Sequence, residues 1–135
     1  TRITADAFGG GRPMPDLLLG AQARILMKNA RTRAAGYAAA YMPAAALIDG
    51  EAIVEVTPVA PVTMFHLVLE RQGSLSCAGI EVESFHPGKN AADRMDPQLA
   101  ALFIALFPQM TCFADFGTMA HPRLAAEDMD DLRAA

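Results

Sequence analysis

The run Val62-Thr63-Met64-Phe65-His66-Leu67-Val68-Leu69-Glu70 decides how the rest of the chain is read. It continues through Arg71-Gln72-Gly73-Ser74 into Leu75-Ser76-Cys77-Ala78-Gly79-Ile80-Glu81-Val82-Glu83-Ser84-Phe85. The first nine residues hold β-branched and aromatic side chains, with neither Gly nor Pro, and predict a strand from Val62 to Glu70. After the polar Thr63 the run is almost continuously apolar, as in a strand covered on both faces. Arg71–Ser74 supplies a turn, and Leu75–Ala78 starts a returning strand that Gly79 bends or bulges. Ile80–Phe85 continues it until His86-Pro87-Gly88 stops it.

Working upstream, Thr1–Asp6 alternates polar and apolar and predicts a strand. Gly9-Gly10-Gly11, with Pro13 and Pro15, predicts a loop. Asp16–Leu19 and Arg24–Met27 are short apolar runs, and the basic stretch Lys28–Arg33 reads as a solvated loop. Tyr37–Met42 fits helix or strand equally well, and Ala44–Ile48 has room for one helical turn. Asp49-Gly50 is a hairpin signal leading to a strand at Ala52–Val56. Downstream of Gly88 the character changes. Asp96 is a good helix cap, and Pro97 suits the first helical position. Leu99, Leu102, Phe103, Leu106 and Phe107 then share one helical face before Pro108. A second helix is expected from Pro122 to about Arg133. The fold class is thus mostly β, with residues 1–88 as a β domain and 89–135 as a helical tail packed on it.

The bulk properties exclude several classes. With 53% hydrophobic and 19% charged residues in 135, the chain is no disordered polyelectrolyte and can bury one modest core. The net charge is −4 and the 11 Lys and Arg are scattered, which argues against a nucleic-acid partner. No apolar run approaches the roughly 18 to 20 residues of a membrane helix, so no membrane partner is expected. Thr1–Ala7 reads as a strand, not a leader, and a start without Met is what a piece of a longer protein would show.

By residue type alone, little chemistry is on offer. His66, His86 and His121 are far apart, with no CxxC or HxxxH spacing, so neither a metal nor another cofactor is expected. Glu81 and Glu83 share a strand face and are either a coupled carboxylate pair or simply solvated. Cys77 is the thiol of interest; as a nucleophile it would need a base, and His66, on the preceding strand of the same hairpin, could supply one. The plainer reading makes Cys77 a packed structural thiol and His66 a core imidazole bonded to backbone. His86 and His121 precede Pro and read as loop residues, and Cys112 as packing.

Four blocks, in order, carry a resemblance. Asp16-Leu17-Leu18-Leu19-Gly20-Ala21-Gln22-Ala23-Arg24-Ile25-Leu26 resembles the second conserved block of bacterial Hedgehog/intein-type (Hint) domains, Asp-Leu-Leu-Val-Ser-Pro-x-His-Arg-Leu-Leu. Met42–Gly50 resembles the family's Val-Pro-Ala-x-x-Leu-Val-Asn/Asp-Gly, and Val62–Arg71 its Val-Thr-Tyr-x-His-Leu-x-Leu-Asp-Arg. Ala78–Phe85 resembles its Glu-Gly-x-x-x-Glu-Ser-Phe, and the tail, with Leu106-Phe107-Pro108 and Pro122-Arg123-Leu124, has the family look.

The resemblance implies a flattened, horseshoe-like β fold, present here in part, and a self-cleavage chemistry. In that chemistry a Cys at the domain start attacks its own preceding carbonyl to form a thioester, while a block-two His protonates the departing amide nitrogen. The start Cys would lie ahead of Thr1, making the chain's own upstream polypeptide the implied partner. The block-two Ser and His positions hold Gly20 and Ala23, and Gln72 stands where a His usually follows Arg71. His66 remains, at a position matching a conserved Asp of inteins. Glu83, Ser84 and Phe85 stand where inteins have His, Asn and the downstream nucleophile, so splicing is not expected. The chain therefore reads as the C-terminal part of a degenerate Hint domain, inactive in self-cleavage. The alternatives are a structural or interaction module, or a Cys-dependent enzyme using Cys77 and His66. Open strand edges would favour homo-oligomers. Bacterial proteins of this kind are often exported, though no residue here fixes the compartment.

Overall fold

The computed structural model describes residues 1–125. Seven short strands, two α-helices and three 3-10 turns divide between two compact units. Among the described residues, the first comprises Thr1–Phe65, Ser74–Glu83 and residues 121–125; the second comprises His66–Gly73 and Ser84–Ala120.

The first unit is built on two antiparallel sheets. One has the order β2-β1-β5, with β1 at Arg2–Ile3, β2 at Leu17–Leu18 and β5 at Ile53–Val54. The other has the order β4-β3-β7-β6, with β3 at Arg24–Met27, β4 at Ala40–Pro43, β6 at Ser74–Cys77 and β7 at Ile80–Glu83. Strand β3 is central: Ile25 faces Met42 on one side and Val82 on the other. Its apolar residues and those of its neighbours form the core of Ile3, Ile25, Ala44, Ile53, Ile80 and Val82. Burying side chains of this size stabilises by about 1.5–3 kcal/mol each.

Local chemistry explains the details. The β6–β7 hairpin turns on Ala78 and Gly79, with φ of 51° and 85°, the two positive values a two-residue turn of this twist requires. Gly79 is therefore the turn itself and not a bulge. Asp49 does make a tight turn, its carboxylate accepting from the backbone N–H groups of Glu51, Ala52 and Ile53. The strand that follows, β5, pairs with β1 and not with the segment before the turn. Of Tyr37–Met42 only Ala40–Met42 is strand, as part of β4, and Ala44–Leu47 forms the expected single turn, as a 3-10 helix.

Two further segments differ from expectation. The basic stretch at Lys28–Arg33 contains a helix, α1, at Ala30–Ala34. Asn29 caps it: Thr32 N–H donates to Asn29 Oδ1, and Asn29 N–H donates to Thr32 Oγ1, both at 3.1 Å. The strand expected at Val62–Glu70 does not form. The hairpin is made one segment later, between β6 and β7, and β7 takes β3 as its other partner, so residues 62–70 are not the strand that pairs with Ile80–Glu83. The backbone from Glu55 to Phe65 makes no hydrogen bond to the other described residues, and Val59, Val62, Met64 and Phe65 are exposed.

The second unit is organised by aromatic rings. Phe85 stacks on Phe107 at 5.7 Å, Phe103 on Phe113 at 5.5 Å, and Phe116 meets Phe107 edge-on at 5.1 Å. Phe103 and Phe107 come from and just after helix α2, Pro97–Ala105, whose N-cap Asp96 accepts from Leu99 N–H at 2.9 Å. The expected inward face is divided: the phenylalanines pack, whereas Leu99, Leu102 and Leu106 remain exposed.

Residues 122–124, where a second helix was expected to begin, instead run beside β4. Tyr41 bridges Arg123 in parallel, Tyr41 N–H donates to Pro122 O, and Leu124 N–H donates to Tyr41 O. The remainder of that expected helix lies outside the described residues. Leu124 is 5% exposed and packs with Ala40 and Met42. Leu124→Ala should lower stability by about 2–5 kcal/mol in urea unfolding; a change under about 0.5 kcal/mol, typical of surface positions, would show that this segment is not part of the core.

Candidate functional site

The site expectation centres on the turn between β2 and β3. Leu19 pairs with the chain start in both directions: Thr1 N donates to Leu19 O at 2.8 Å, and Leu19 N–H donates to Thr1 O at 2.9 Å. Gly20 follows directly. Ala23 N–H closes the turn on Gly20 O at 3.1 Å, and Ala23 O accepts from Ala44 N–H at 2.9 Å. A peptide nitrogen at Thr1 would keep the same bond to Leu19, so a chain joined there enters beside Gly20.

An open groove of about 810 Å³ runs along this turn, with Thr1, Gly20 and Ala21 on one wall and Val56, Val62 and Met64 on the other. Its lining is largely apolar, and Glu55 is its one ionisable side chain. No His or Cys lines it. A Cβ added at Gly20 would stand 3.2 Å from Met64 Cε, so the methionine methyl occupies the space a Ser side chain would enter. That methyl is the far end of a flexible, half-exposed side chain, so the crowding is mild.

The other expected site residues are placed as follows. Cys77 ends β6 in the first unit, partly buried against the core cluster and free of any disulfide. His66 belongs to the second unit, where its ring meets Phe85 edge-on at 5.5 Å. The segment carrying His66 is not a strand, so the hairpin that was to align it with Cys77 is not the one that forms. Among the described residues no group of three or more His, Cys, Asp or Glu is arranged to hold a metal ion.

Several family positions carry structural bonds. Gln72 is 8% exposed and its Oε1 accepts from Ala120 N–H at 2.6 Å. Ser84 is buried; its Oγ accepts from Gly73 N–H at 3.0 Å and its own N–H donates to Gly73 O at 2.8 Å. Phe85 is the centre of the aromatic cluster. The two glutamates differ. Glu81 is half-exposed and meets Lys28 at 3.0 Å, whereas the Glu83 side chain is 5% exposed and is gripped by Arg123 Nε at 2.9 and 3.1 Å. Arg24 stands nearby: burial, the positive charge of Arg123 and the negative charge of Glu83 all act on it, the first two lowering its pKa. Its Nε is buried with no hydrogen-bond partner. Sequence reasoning missed this Arg24–Glu83–Arg123 cluster because its members are separated by up to about a hundred positions and only the β3–β7 pairing and the segment beside β4 bring them together.

Residues 1–89 match the family model described as the Hint domain, and the chain belongs to that family. No curated protein and no solved structure matches it.

Two predictions test the electrostatics. Arg123→Ala leaves Glu83 with its principal countercharge removed inside the protein, and should destabilise by about 3 kcal/mol, read from chemical denaturation at neutral pH; Arg123→Lys should recover part of the loss. In the second unit, Asp115 accepts from Thr111 N–H, Thr111 Oγ1 and Cys112 N–H, which hold its carboxyl down from 3.8 to about 2. A depressed carboxylate stabilises the fold above its unfolded value and ceases to as pH falls through its folded one. Carboxyl carbon shifts should therefore show Asp115 ionised at pH 3, and Asp115→Asn should remove stability at pH 7 but not near pH 2.

Proposed function

We propose that this chain is a Hint module related to protein self-cleavage that does not itself cleave, and that it serves as a structural or interaction domain. The occupant of its groove is the polypeptide joined ahead of Thr1. The observation that carries the reading is the lining of that groove: beside the point where a joined chain would enter, it holds neither a His nor a Cys.

The reaction of the family's type makes that absence decisive. A thiolate adds to the preceding carbonyl carbon, the carbon–sulfur bond forms, and the carbon–nitrogen bond breaks. An amide nitrogen leaves readily only when it is protonated as the bond breaks. Imidazole does this near neutral pH because its pKa lies close to it. Ala23, at the block-two His position, has no titratable side chain. Glu55, the groove's one ionisable side chain, is exposed and supplies neither an imidazole nor a thiol. Gln72, at the other His position, is engaged with Ala120.

The test is a fusion in which a reporter domain and a Cys-bearing segment precede Thr1, incubated with dithiothreitol and resolved on a gel. The parent fusion is expected to stay whole. Ala23→His, alone or with Gly20→Ser, is expected to release the reporter, since a general acid contributes about 10²–10⁴-fold. Thiol-dependent release from the parent fusion would contradict the proposal.

A further inference from the structure

A second cavity lies in the first unit and shares no lining residue with the groove beside Gly20. It measures about 370 Å³, within the range of small-molecule sites. Its walls are apolar where Phe8, Met27 and Ile80 contribute and polar at the rim, where Arg12, Lys28 and Glu81 stand. Lys28 and Glu81 neutralise each other at 3.0 Å. Arg12 has no such partner: among the described residues no carboxylate reaches its guanidinium, and its one hydrogen bond runs from Nε to Gly9 O at 3.2 Å.

That guanidinium is held in place. The Arg12 stem lies against the β6–β7 turn, with its Cγ only 3.3 Å from where a Cβ on Gly79 would be. Gly79 thus serves twice, by adopting a positive φ and by leaving room for the arginine. The loop is tied to the same turn by Met14 N–H donating to Ala78 O at 3.1 Å. The result is a cation lining a partly apolar cavity, with both terminal nitrogens free, in a chain whose net charge is −4.

We propose that this cavity binds a small organic carboxylate, with the acid group on Arg12 and a compact apolar body against Phe8, Met27 and Ile80. The two free nitrogens form a planar fork that matches a carboxylate in two-point contact, and the apolar wall favours an organic acid over an inorganic anion.

The test uses amide chemical shifts of the whole chain titrated at low salt with acetate, hexanoate and benzoate, with benzamide and inorganic phosphate as the contrasting probes. Hexanoate or benzoate is expected to shift the amides of Phe8, Lys28 and Gly79 with a Kd in the low millimolar range, on the order of −4 kcal/mol. Acetate, benzamide and phosphate should bind at least several-fold more weakly. Arg12 is exposed, so Arg12→Gln keeps the fold, which its spectrum verifies; it is expected to weaken binding roughly tenfold, and Arg12→Lys by less. Equal binding of benzoate and benzamide would overturn the assignment. So would phosphate binding more tightly than every carboxylate, affinity unchanged in Arg12→Gln, or no shift with any acid at about 10 mM, a concentration that fills most of a site of the expected strength.

Discussion

Strand β3 is the element on which the remainder of this protein depends. Four residues, Arg24–Met27, are laddered to β4 on one side and face β7 on the other, with Ile25 between Met42 and Val82. That double pairing places the Gly20–Ala23 turn at one end of the strand, the Ala44 turn beside it and the β6–β7 hairpin opposite. It also brings Arg24 close enough to Glu83 and Arg123 for their charges to act on it. Such short strands contribute few ladder bonds, so the stability of the sheet rests on the side chains buried against it. The segment at 122–124 adds to that burial from well beyond the family-matched residues, through Leu124 and the Arg123–Glu83 pair.

Much of this was legible in the sequence because it is set locally. Arg24–Met27 is a short apolar run, Ile80–Glu83 alternates, and Asp96-Pro97 announces its helix. The Asp49 turn follows from a carboxylate that can reach three successive N–H groups. What was misread depends on partners. Val62–Glu70 has every intrinsic mark of a strand, but the place beside β7 that it was expected to take is filled by β6. The helix after Lys28 turns on a single reciprocal cap between Asn29 and Thr32, which basic composition conceals.

The candidate site was legible in another sense. Gly20 and Ala23 could be seen in the sequence to lack the side chains that the family's chemistry uses. The structure adds what surrounds them, an apolar groove narrowed by the Met64 methyl. It also shows that Gln72, Glu83, Ser84 and Phe85 are tied into hydrogen bonds, an ion pair and ring stacking. None of those bonds follows from motif spacing, since their partners are Ala120, Gly73, Arg123 and the phenylalanines of another segment. Side chains held this way contribute to folding, and altering them for chemistry would carry a stability cost that altering Ala23 would not.

In the function proposed for this domain, the turn at Gly20–Ala23 holds a joined chain but does not help it break. The most direct measurement is trapping with hydroxylamine, which captures a thioester as soon as it forms, on a chain carrying a Cys-bearing segment ahead of Thr1, with intact mass as the readout. The account predicts a single uncleaved mass for the parent and a hydroxamate-capped upstream fragment once Ala23 is replaced by His. A hydroxamate-capped fragment from the parent chain would contradict it.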